Sequence, residues 1–91
     1  MKIVKVSALW CPACLITNNN LDKIIGNYPN LVIENLDYDF DEEKVSKYDV
    51  GDTLPVLIFI NDNDKELGRL IGEKTKEELE EEIGEVYEKE N

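Results

Sequence analysis

Lys2-Ile3-Val4-Lys5-Val6-Ser7-Ala8-Leu9-Trp10-Cys11-Pro12-Ala13-Cys14, residues 2–14, is the stretch that decides the fold. Ile3, Val4 and Val6 form a β-branched run that stops at Ser7, the pattern of a first strand buried on both faces. Cys11 follows within a few residues. From there Cys14, Leu21, Ile24 and Ile25 recur at helical spacing until Gly26 and Pro29 end the pattern. Asn18, Asn19 and Asn20 are poor mid-helix residues, but the apolar period outweighs them and a helix is expected.

Beyond that stretch, Leu31, Val32, Ile33 and Leu36 make a second strand. Asp41-Glu42-Glu43 offers a cap and an acidic first turn for a short helix carrying Val45 and Tyr48. A helical crossover between the first two strands makes them parallel. After Gly51 the run Val56-Leu57-Ile58-Phe59-Ile60 is a third strand, and Asn61-Asp62-Asn63-Asp64 is turn chemistry leading antiparallel into a fourth, Glu66 to Ile71. Thr75 with Glu78 is a capping box, and Leu79, Ile83, Val86 and Tyr87 trace one apolar face of a last helix. The order is βαβαββα, an α/β chain expected to form a single domain over residues 1–91.

Composition narrows the function. The chain has 91 residues with 42% hydrophobic content, enough for a small core. A net charge of −11 argues against a nucleic-acid partner, which needs clustered cations, and against anionic membrane surfaces. The longest apolar run, Leu54 to Ile60, has seven residues, against roughly 20 needed to span a bilayer. Met1-Lys2 leads into Ile3 without the apolar segment and small-residue cleavage site of a secretory signal, so a cytoplasmic location is expected. There is no histidine, which removes imidazole nucleophile activation and His-ligated zinc.

The two cysteines, Cys11 and Cys14, are too few and too close to staple a secreted scaffold, so chemistry is the better reason for them. With Cys11 as N-cap, Pro12 falls at the first helical position, where its missing N–H costs nothing. The open amides of that turn and the positive end of the helix dipole face the Cys11 sulfur and favour its thiolate, the attacking species in disulfide exchange. Cys14, one turn on, can then displace a partner held on Cys11. Half a soft-metal site for an ion such as Cu(I), in a non-catalytic module, and inert structural thiols are the other readings of the pair.

These motifs together resemble the thioredoxin family at the smaller size of glutaredoxins, over almost the whole chain. Trp10-Cys11-x-x-Cys14 is similar to the active-site segment, Thr53-Leu54-Pro55 to the cis-proline loop, and Leu70-Ile71-Gly72 to the glycine that closes the last strand. The resemblance implies a minimal thioredoxin fold, a four-stranded mixed sheet with helices on both faces, and an activity reducing protein disulfides with no bound cofactor beyond a Cys11 to Cys14 redox disulfide. It makes Cys11 and Cys14 catalytic. Trp10, Pro12, Leu54, Pro55 and Gly72 become substrate-binding residues: Pro55 cis and facing the dithiol, the Leu54 backbone pairing with an extended substrate, and Gly72 leaving room in the groove. It further implies a monomer recharged by a thioredoxin-reductase-like or glutathione donor. Departures are specific. Pro12-Ala13 is nearer the glutaredoxin order, the Gly-Gly and acidic residue that serve glutathione reduce to Gly72 alone, and the helix-kinking proline is replaced near Asn19. Lys5 stands near the family's buried aspartate, a proposed proton acceptor for the second cysteine. It reads either as an ammonium favouring the thiolate or as a packed stem with its head in water.

Asp37, Asp39 and Asp41 alternate as in a calcium loop, but Glu42 stands where glycine is required and Tyr48 where a bidentate glutamate is required, leaving strand-end and helix-cap roles. Glu77 to Glu90 reads as a solvated helix face with a Glu85 and Lys89 pair, and Tyr28, Tyr38, Tyr48 and Tyr87 as core-rim residues.

Overall fold

The chain folds as βαβαββα in a computed structural model that describes residues 1–90. The elements are β1 (Lys2–Ser7), α1 (Pro12–Ile24) running into a 3-10 turn (Ile25–Asn27), β2 (Val32–Asp37), α2 (Glu42–Ser46), β3 (Val56–Ile60), β4 (Glu66–Ile71) and α3 (Lys76–Glu90). Pro12 opens α1 at its first turn, and the three asparagines are carried through without a break because Cys14, Thr17, Leu21 and Ile24 give that helix a continuous buried stripe. β2 begins at Val32 rather than Leu31, which turns into the core ahead of the strand.

The sheet order is β2-β1-β3-β4. β1 pairs parallel with β2 and antiparallel with β3, and β3 pairs antiparallel with β4. Being central, β1 buries Ile3, Val4, Lys5 and Val6 in succession, and β3 is buried throughout. Alternation sends Val4, Val6, Val56 and Ile58 into one cluster with Leu36 and with Val45 of α2. Ile3, Leu57 and Phe59 enter the opposite cluster with Leu21 and Ile24 of α1 and Leu79 and Ile83 of α3. The helices thus lie on both faces, α2 on one and α1 with α3 on the other.

Local chemistry closes the ends. Thr75 and Glu78 exchange the reciprocal bonds of a capping box, Glu78 N donating to Thr75 Oγ1 and Thr75 N to Glu78 Oε1, both at 3.1 Å. In the hairpin, Asn61 Oδ1 accepts from the amides of Asn63 at 2.9 Å and Lys65 at 3.0 Å, while Asp64 takes φ +62°. All four tyrosines are half-buried at the core rim. Asp41 corrects one expectation: it occupies the N-cap position of α2, yet its side chain caps nothing there. Its Oδ2 accepts instead from the Asp37 amide at 2.8 Å, tightening the turn that leaves β2.

Candidate active site

The sheet collects one edge from four strands. Ser7 lies beside Asp37 where β1 and β2 end in parallel, Val6 opposes Val56 at the start of β3, and Val56 opposes Ile71 at the end of β4. The segments after Ser7, after Asp37, before Val56 and after Ile71 therefore leave the sheet at the same edge. Trp10, Cys11, Asp39, Leu54, Pro55 and Gly72 all sit on those segments.

Cys11 is the N-cap of α1, with φ −101° and ψ +105°, and Pro12 takes the first helical turn. The Cys14 amide donates to Cys11 Sγ at 3.1 Å, and the Cys11 thiol donates to the Leu54 carbonyl oxygen at 3.8 Å. Both cysteines are free thiols. Burial pushes the Cys14 thiol up to about 12, with its own hydrogen bond to Cys11 acting in the same direction and Lys5 opposing it. The Leu54-Pro55 bond is cis, and the Pro55 carbonyl accepts from the Gly72 amide at 2.9 Å, so the two loops that flank Cys11 are tied to each other.

Cys11 is less open than a strand-end cysteine is expected to be. It is 9% exposed and Cys14 2%, because Leu54 closes over the first sulfur from the β3 side. A hollow of about 410 Å³ reaches the pair from the other side, lined by Ala8, Trp10, Cys11, Pro12, Cys14 and Asn18 among others. Leu54, Pro55 and Gly72 do not line it. The structure thus brings Trp10 and Pro12 together with the dithiol in one concavity and places Leu54, Pro55 and Gly72 on the opposite flank of Cys11.

A sequence model of the Thioredoxin family matches residues 1–85. The chain belongs to the thioredoxin family. It is 34% identical over 70 residues to Thioredoxin H5 of Oryza sativa subsp. japonica, covering 77% of this chain and 50% of that protein, so it spans about half the length of that curated relative. The Fasciola hepatica thioredoxin structure superposes with a TM-score of 0.78 at 26% identity, over 99% of this chain and 80% of that one. Mitochondrial thioredoxin 3 of Saccharomyces cerevisiae superposes with a TM-score of 0.81 at 24% identity, over 92% and 76%, a likeness of fold.

Within this thioredoxin fold several contacts lie outside the sequence reading. The Trp10 indole N–H donates to Asp39 Oδ2 at 2.7 Å, and its ring meets Tyr38 edge-on at 6.5 Å. The sequence leaves Asp39 only a strand-end or helix-cap role. The signal that could have found it is the parallel pairing of β1 with β2, which carries residues 8–10 and 38–40 out of the sheet side by side. Asp37 Oδ1 meanwhile accepts from the amides of Asp39 and Phe40, at 2.9 and 3.0 Å, holding that loop. Thr17 Oγ1 accepts from the Lys74 amide at 3.1 Å and Asn20 Nδ2 donates to the Lys74 carbonyl at 3.0 Å, docking the segment after Gly72 onto α1.

At Gly72 the backbone conformation itself calls for glycine. A Cβ there would meet Thr53 Cγ2 at an ordinary 3.6 Å, but the backbone sits at φ +90°, where side chains are strained. Lys5 is buried as a residue, 8% exposed, its stem packed in the central strand. Among the described residues no group of three or more Cys, Asp or Glu is placed to hold a metal ion, and no helix is long and apolar enough to cross a membrane.

Proposed function

We propose that this chain is a thiol-disulfide oxidoreductase that reduces protein disulfides through Cys11-Pro12-Ala13-Cys14. The observation that carries the reading is the Cys14 amide aimed at Cys11 Sγ at 3.1 Å, at the open start of α1. An amide proton directed at sulfur, reinforced by the helix dipole, stabilises a thiolate more than a thiol. The Cys11 thiolate attacks one sulfur of a substrate disulfide, forming a mixed disulfide and releasing the other sulfur as a thiolate that takes up a proton. Cys14 loses its proton and attacks Cys11, the bond to substrate breaks, and the second substrate sulfur leaves and is protonated. Two electrons pass to the substrate and the Cys11 to Cys14 disulfide remains.

On this reading the exposed Trp10 and Pro12 receive substrate at the hollow, while the Leu54, Pro55 and Gly72 flank meets its extended backbone. Recharging requires a dithiol or hydride-fed donor, which we assign to a thioredoxin-reductase-like enzyme; the single glycine at Gly72, where glutathione users carry two, favours it over glutathione. A cycle that ends oxidised suits a reducing compartment, and we place it in the cytoplasm, with the monomer as the working unit.

Catalysis of insulin reduction by dithiothreitol tests the reading. The wild-type chain is expected to accelerate precipitation of the insulin B chain and Cys11→Ser to leave the rate at that of dithiothreitol alone; equal rates for the two proteins would overturn it. Cys14→Ser is expected to accumulate mixed disulfides with substrate, visible as a mass increase that reductant removes.

A further inference from the structure

A second hollow, of about 440 Å³, lies beside the one that reaches the dithiol, and the exchange chemistry leaves it unused. Its floor is apolar, built from Tyr38, Val45 and Val50 of the core cluster on the α2 face, and its rim carries Asp39, Glu42 and Asp49. Among the described residues no lysine or arginine lines it, and the carboxylates of Glu42 and Asp49 have no hydrogen-bond or ion-pair partner. Arg69 feels the charge of Asp49, but its guanidinium is already committed to Glu66 by two bonds of 2.7 Å.

The two hollows share a wall. Trp10 lines the first, donates its indole N–H to Asp39 of the second at 2.7 Å, and meets the Tyr38 ring edge-on. Trp10 is 61% exposed and Phe40, next to Asp39 in the same loop, 80%, so large apolar surface stays uncovered between the dithiol and the carboxylates. A substrate segment lying against Trp10 to reach Cys11 therefore continues directly onto the second hollow. We propose that this hollow is a substrate subsite for a basic side chain: an arginine or lysine near the substrate's disulfide lays its aliphatic stem on Tyr38 and Val50 and its charged head against Asp39, Glu42 and Asp49. This rests on the oxidoreductase reading above and names a substrate class for it, disulfide segments that carry a cation close to the reacting cysteine.

The chemistry of floor and rim together selects this occupant. A wholly apolar side chain would cover the floor but strip water from the carboxylates and return nothing to them. An acidic one would meet three like charges. A guanidinium or ammonium on an apolar stem matches both surfaces at once. The hollow is open to water, so the gain is that of screened surface pairs, and it appears as a preference among substrates. Asp39 already accepts from Trp10, which leaves Glu42 and Asp49 with the free capacity for a cation. Asp49 sits at φ +51°, a conformation that asparagine adopts as readily as aspartate, so Asp49→Asn removes the charge without straining the backbone.

Short peptides test the subsite, each holding one cysteine as its mixed disulfide with thionitrobenzoate and one arginine a few residues to either side. Each is compared with the same peptide carrying citrulline, the neutral isostere. Stopped-flow absorbance follows thionitrobenzoate release by the reduced chain at about 0.15 M salt, where the Debye length of about 8 Å limits the reach of distant charges. At the spacing that reaches the hollow, the arginine peptide is expected to react about fivefold faster than its citrulline twin. That ratio is expected to collapse towards one in Glu42→Gln/Asp49→Asn. It is expected to persist in Glu81→Gln/Glu82→Gln, which removes the same charge from exposed positions of α3, on the opposite face of the sheet. Denaturant unfolding checks that each variant is folded. A ratio near one at every spacing, a ratio that survives Glu42→Gln/Asp49→Asn, or one that falls as far in Glu81→Gln/Glu82→Gln overturns the subsite and leaves the dithiol reading standing. A wild-type chain that releases no thionitrobenzoate from any peptide overturns both.

Discussion

At the residue scale the two sulfurs occupy different surroundings three residues apart. Cys11 receives an amide proton where a helix begins, while Cys14 is enclosed beneath it, with burial raising its thiol to about 12. Because that value lies above the ordinary 9.0, the folded chain holds the Cys14 proton more tightly than the unfolded chain does. The stabilisation is complete below the ordinary value, declines as pH climbs from 9.0 towards about 12, and is gone above it. Denaturant unfolding over this alkaline window is expected to fall less steeply with pH for Cys14→Ala than for the wild-type chain. Gly72→Ala tests a second single-residue property: with space for the methyl group but φ at +90°, the cost is about 1–2 kcal/mol of unfolding free energy, from strain alone. At this scale the pair of cysteines was legible in the sequence because spacing and Pro12 fix where the helix starts. The burial of Lys5 was not, because its side chain is ordinarily solvated and only the central place of β1 overrides that habit. Nor was the reach of Trp10 to Asp39, a contact between residues far apart in sequence.

Among the elements, α3 is held by its cap and its inward stripe. Thr75→Ala removes one half of the capping box and is expected to cost about 1 kcal/mol in equilibrium unfolding. Ile83→Ala empties a fully buried position between α1 and the sheet and is expected to cost about 2–5 kcal/mol. The Glu85 and Lys89 pair on the outer face, 60% and 71% exposed, should contribute well under either figure. Every strand and helix was readable as a local pattern because each carries its own period, stop signal or cap. The exception is instructive: Asp41 stands where a cap belongs, yet the nearer Asp37 amide takes its carboxylate, a competition decided by turn geometry that no local pattern displays.

For the whole molecule, a charge of −11 is gathered within a radius of gyration of 12.3 Å. The Debye length shrinks from about 30 Å at about 0.01 M salt to about 10 Å at about 0.1 M, so repulsion that crosses the whole molecule at low salt is confined to near neighbours at moderate salt. The melting temperature is therefore expected to rise on adding sodium chloride at neutral pH, and calorimetry that finds it constant or falling would contradict this account. Pairing Val6 with Val56 makes the sheet itself the ruler for the site, since one step of slippage would carry residues 54 and 55 away from Cys11 and turn every buried β3 side chain to the wrong face. Regained thiol exchange during refolding would consequently serve as a clock for strand alignment, striking only once two segments half a chain apart have found their common thread.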